Sequence, residues 1–101
     1  MIGFIIKVNP PHQVAAEGEN VKFECTVNST LNFTIKWMNS TNGTLEDSML
    51  NKSVNGTVTL TLSLINVKRE DYQSYTCSGR DDEITVNASA ILSKLTSQNI
   101  G

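Results

Sequence analysis

Cys25 and Cys77 stand with 51 residues between them, and the only tryptophan, Trp37, follows the first by twelve positions. Tyr75 lies two residues before the second cysteine and Asp71 six before it. Each residue type is ordinary, but all five at these spacings are not. The surrounding residues alternate with period two. Val21, Phe23, Cys25 and Val27 interleave with Lys22, Glu24 and Thr26; Phe33, Ile35 and Trp37 with Thr34 and Lys36; Val58, Leu60, Leu62 and Leu64 with Thr59, Thr61 and Ser63. Period two places successive side chains on opposite faces of a strand. Each run thus has one apolar and one polar face, the pattern of antiparallel sheets solvated on one side. Both cysteines sit on apolar faces, with Tyr75 in phase with Cys77.

Turn residues divide these runs. Asn55-Gly56 tolerates positive φ at both turn positions and signals a hairpin before the Val58 run. Gly18 and Gly43 mark other reversals, and Asn9-Pro10-Pro11 splits the first strand, because proline cannot donate to a ladder. The expected strands are A near Phe4–Val8, A′ near Val14–Ala15, B over Asn20–Asn28, C over Phe33–Met38, a weak C′ or D near Ser48–Val54, E over Thr57–Leu64, F over Ser74–Gly79 and G over Ile84–Leu92. No stretch sustains the i, i+3, i+4, i+7 apolar spacing of a helix. A chain of 101 residues has room for one core, so one domain is expected.

The five spaced residues, together with the run from Leu62 through Asp71 and Tyr75 to Cys77, resemble the immunoglobulin superfamily. The resemblance covers about Asn9 to Leu95. It implies an all-β fold, a two-sheet antiparallel immunoglobulin-like sandwich with one inter-sheet disulfide between Cys25 and Cys77. It further implies that Trp37 and Leu62 pack in the core and that Tyr75 pins the turn before strand F by a hydroxyl bond to upstream backbone. Only 20 residues lie between Trp37 and Val58, too few for the extra edge strands of a variable domain, so the likeness is to the intermediate or C2-type sets. Two positions depart from the family pattern. Gln73 stands where Gly or Ala is usual, and Lys52 is the nearest cation where an arginine often pairs with the aspartate.

Charge and motifs narrow the function. A net charge of −2 and a pI near 5.2 provide no basic surface for phosphates, so no nucleic-acid partner is expected. No run reaches the roughly 20 apolar residues of a membrane helix. Ile2-Gly3-Phe4-Ile5-Ile6 lacks a basic stretch before it and a cleavage site after it, and reads as a first strand rather than a leader. The chain is expected to be a module excised from a longer ectodomain, meeting a membrane only through that parent. Two cysteines and one histidine, His12, do not complete a four-ligand zinc site. Asp81-Asp82-Glu83 is one contiguous acidic run, which seldom supplies the six to eight oxygens of calcium, and reads as a solvated F–G loop. No nucleophile elbow, zinc-protease helix or phosphate-cradling loop is present, and neither enzymatic activity nor a cofactor is expected.

Seven asparagines head Asn-x-Ser/Thr acceptors: Asn28, Asn32, Asn39, Asn42, Asn51, Asn55 and Asn87. Composition alone would produce about two such acceptors, and none of the seven has proline in the middle. They point to a secreted or cell-surface glycoprotein, as does a disulfide, which persists in oxidising compartments. The expected role is non-covalent recognition or spacing in a receptor or adhesion protein, with a protein ligand or neighbouring modules as partners. The candidate contact is the F–G segment Ser78, Gly79, Arg80, Asp81, Asp82 and Glu83, which carries no acceptor. The competing expectation is an intracellular scaffold module with free thiols.

Overall fold

The diproline decides how the first strand is shared between two sheets. In the computed structural model, which describes residues 5–28, 33–41, 43–50, 57–81 and 84–95, β1 (Ile5–Asn9) ends at this break and β2 (His12–Ala15) starts beyond it. β1 pairs antiparallel with β3 (Val21–Asn28), which pairs with β6 (Thr57–Leu64). β2 instead runs parallel to β8 (Thr85–Lys94), completing a five-stranded sheet of order β2-β8-β7-β4-β5. Here β4 is Phe33–Met38, β5 is Thr44–Leu50 and β7 is Ser74–Arg80. Proline's missing N–H makes the break cheap at a sheet edge.

The expected strands form with corrected bounds; A′ begins at His12, two residues earlier than expected, and B at Val21, one residue later. The weak C′ or D strand near Ser48–Val54 is β5, beginning at Thr44 and pairing with β4; it is therefore C′. Its signal was obscured because Glu46 and Asp47 interrupt the apolar alternation. Strand F continues to Arg80, one residue further than expected, and strand G spans Thr85–Lys94. Asn55-Gly56 and Lys52 lie outside the described residues.

The alternating residues converge between the sheets. Phe23, Cys25, Val27, Ile35, Trp37, Leu62, Val67, Tyr75, Cys77 and Leu92 are all at most 2 % exposed. Cys25 and Cys77 are disulfide-bonded, tying β3 in one sheet to β7 in the other with Cα atoms 6.3 Å apart. Trp37 packs beside Phe23, ring centroids 6.1 Å apart, and its indole Nε1 donates to the Leu60 carbonyl at 3.0 Å, satisfying the one polar atom that burial would strand.

Polar contacts gather where β3 begins and β6 ends. A short 3-10 turn, Arg69–Asp71, leads into β7. Tyr75 Oη donates to the Asp71 carbonyl at 2.5 Å, so the hydroxyl reaches upstream backbone despite Gln73. Tyr72 Oη donates to the Ala15 carbonyl at 2.8 Å, tying the turn to β2. The Asp71 carboxylate accepts from the Lys68 backbone N–H at 2.7 Å. Burial, with the Asp71 charge adding to it, pushes the Tyr75 phenol up to about 12.

Candidate functional site: the outer face and F–G end of the five-stranded sheet

Alternation sends the even-numbered residues of β4 and β7 outward and their odd-numbered neighbours into the core. Register then sets rows across this outer face. Met38 is opposite Thr76, which is opposite Ser89; Lys36 is opposite Ser78, which is opposite Asn87; Thr34 is opposite Arg80, which is opposite Thr85. Farther along, His12 is aligned with Ile91 and Val14 with Ser93. Thr76 and Ser89 share a hydroxyl–hydroxyl hydrogen bond of 3.1 Å, and His12 Nε2 meets Ser93 Oγ at 2.9 Å.

The candidate contact residues divide between this strand and its loop. Ser78, Gly79 and Arg80 belong to β7, so the loop is shorter than the expected Ser78–Glu83 span. Gly79 occupies an inward position between Ile35 and Val86 and is buried. Ser78 faces outward but is only 9 % exposed, between Lys36 and Asn87. Arg80 is exposed at the end of the strand. Beyond it, the Asp81 backbone N–H donates to the Ile84 carbonyl at 3.1 Å, and the Ile84 N–H donates to Asp81 Oδ1 at 2.9 Å. Asp81 thus closes the F–G turn on itself. Asp82 and Glu83 lie outside the described residues. Among the described residues no group of three His, Cys, Asp or Glu side chains is placed to hold a metal ion.

A two-sheet sandwich bridged at Cys25 and Cys77 finds its counterpart in a known family, whose profile, described as an immunoglobulin domain, matches residues 5–80. The chain belongs to that family. This immunoglobulin domain is similar to Dscam1 isoform 1.9 in its N-terminal four Ig domains, with 27 % identity over 92 % of the chain and a TM-score of 0.68. It is likewise similar to Dscam1 isoform 7.44, with 26 % identity over 89 % of the chain and a TM-score of 0.72. It spans 21 % and 20 % of those two chains. The fold is shared with a solved complex of Dpr1 IG1 bound to DIP-eta IG1, at 17 % identity, a TM-score of 0.68 and coverage of 90 % of this chain and 96 % of that one. No curated protein matches the sequence.

Three acceptors of the domain are described. Asn28 is exposed at the end of β3, and its Nδ2 donates to Thr57 Oγ1 at 2.8 Å. Asn87 is exposed on the outer face of β8. Asn39 lies at the opposite end of β4 from the F–G turn and is half-buried. Asn32, Asn42, Asn51 and Asn55 fall outside the described residues.

Two features escaped the sequence reading. Ile91 is 49 % exposed and Val14 50 %, adding exposed apolar side chains to the outer face. The inward phase of Ala88, Ala90 and Leu92 was the signal that places Ile91 outward. Gln73 was read only as a departure; its Oε1 accepts from the Ser40 backbone N–H at 2.9 Å and from Ser40 Oγ at 2.7 Å, while its Nε2 donates to the Glu70 carbonyl at 3.1 Å. Nothing in the alternation or the turn signals pairs Gln73 with Ser40, 33 positions away.

Proposed function

We propose that this immunoglobulin domain is an extracellular module of a cell-surface receptor or adhesion protein, acting by non-covalent contact with another protein at the F–G end of its five-stranded sheet. Three features support the cellular placement: the buried Cys25–Cys77 bond, the seven acceptors, and the likeness to the Dscam1 Ig domains. A disulfide at the centre of the core also weighs against the scaffold reading with free thiols.

The observation that carries the contact is Arg80. It is an exposed cation at the last position of β7, followed at once by the acidic Asp81-Asp82-Glu83, in a segment without an acceptor. Closely spaced opposite charges set register and discriminate partners more than they add affinity. The test is to display the domain as a multimer against a panel of cell-surface ectodomains. Arg80→Glu with Asp82→Lys is expected to weaken the interaction found at least tenfold. Unchanged binding by the double variant would move the contact away from the F–G end, and a domain that binds none of the panel would act as a spacer.

A further inference from the structure

In the turn between β4 and β5 one oxygen gathers three donors. Asn39 Oδ1 accepts from the Thr41 backbone N–H at 3.0 Å, from Thr41 Oγ1 at 2.9 Å and from the Gly43 N–H at 2.8 Å. The Asn39 N–H in turn donates to the Gly43 carbonyl at 3.0 Å. With two backbone N–H groups and a hydroxyl aimed at one position, an –NH2 there would set donors against donors; the oxygen must face the turn. The amide nitrogen, which takes no part in these bonds, lies beside Gly43. A Cβ at position 43 would stand 3.2 Å from it, so glycine there leaves it room. Ser40 is held from the far side by Gln73, which fixes the whole tripeptide Asn39-Ser40-Thr41.

We infer that Asn39 carries an N-linked oligosaccharide while its side-chain oxygen fastens the β4–β5 turn. The inference rests on the extracellular reading. In the transfer, Nδ2 bonds to the anomeric carbon of a sugar carried on a lipid diphosphate. The bond from that carbon to the diphosphate oxygen breaks, the lipid diphosphate leaves with the electron pair, and one Nδ2 proton passes to a base of the transferase. The product is still an amide with its carbonyl oxygen, so all three hydrogen bonds into Oδ1 survive. Asn28 differs, because there the nitrogen itself is engaged with Thr57. Asn87 differs too, because it stands mid-strand on the outer face, in register with Ser78, and fastens no turn.

The test secretes the full 101-residue chain from eukaryotic cells and releases sugars enzymatically in heavy-oxygen water, mapping the labelled aspartates by mass spectrometry. Asn39 is expected to be labelled. In parallel, chain folded without sugars separates the two jobs of the residue. Asn39→Asp keeps an acceptor oxygen and should melt within about 2 °C of the parent, whereas Asn39→Ala should melt about 4–8 °C lower, as a small domain does on losing one such interaction. An unlabelled Asn39 in material labelled at another acceptor overturns the inference alone. Asn39→Ala melting with the parent also overturns it. Secreted chain bare at every acceptor overturns the extracellular reading together with it.

Discussion

Around the disulfide, Phe23, Cys25, Ile35, Trp37 and Cys77 are fully buried and meet through apolar surface, with the indole N–H the one polar atom to be satisfied. At the turn end, where β3 begins and β6 stops, the contacts are directional: Tyr75 on Asp71, Tyr72 on Ala15, Gly18 on Val67, Asn20 on Asn66 and Gln73 on Ser40. Burial of a large side chain stabilises by several kcal/mol and depends on volume more than on direction. A hydrogen bond contributes about 1 kcal/mol net but specifies which atoms must meet. The middle thus holds the sheets together, and the turn end decides how the loops are seated.

The strongest way to break that contrast is in the middle. Trp37→Ala is expected to cost about 3–5 kcal/mol in denaturant unfolding, the range for deleting a buried aromatic. A loss under about 1 kcal/mol would mean that Trp37 is not packed. Replacing Cys25 and Cys77 together by alanine should cost about 2–5 kcal/mol, since the bond constrains a long loop of the unfolded chain. At the turn end the effects shrink. Tyr75→Phe should lose about 1 kcal/mol near neutral pH.

Its pH dependence sharpens the point. The folded Tyr75 phenol titrates at about 12, above its ordinary value of 10.0. The fold thus favours the neutral form. That stabilisation is complete below pH 10 and is lost as pH rises through 12. The parent should therefore lose stability over this alkaline window more steeply than Tyr75→Phe, as read by denaturant midpoints at each pH. Equal slopes would mean that the Tyr75 phenol is not held neutral by the fold. The smallest effect is expected for Gln73→Ala, about 0.5–1 kcal/mol, with hydrogen exchange accelerated at the Ser40 amide and unchanged at Cys25 and Cys77. A global loss as large as that of Trp37→Ala would erase the distinction between middle and end.

The same contrast separates what was legible in the sequence from what was not. The core of β3, β4, β6 and β7 could be read because burial imposes period two, and Cys25, Trp37, Leu62, Tyr75 and Cys77 all sit where their phase put them. The edge strand β5 was misplaced because Glu46 and Asp47 break that period, and an edge strand needs it less. The F–G segment was located but drawn too long, since nothing local showed that β7 keeps its ladder through Arg80. Gln73 looked like a defect in a turn pattern. Its partner Ser40 belongs to another hairpin, and only the folded register brings the two together.

The central claim, a disulfide-closed recognition module made for an oxidising surface, is tested most directly on protein taken from its native cells. Alkylating that protein before and after reduction, then mapping peptides, reads the state of Cys25 and Cys77. The account expects both cysteines to resist alkylation until reduction and their peptides to run as one linked species. Two freely alkylated thiols in the unreduced protein would contradict it.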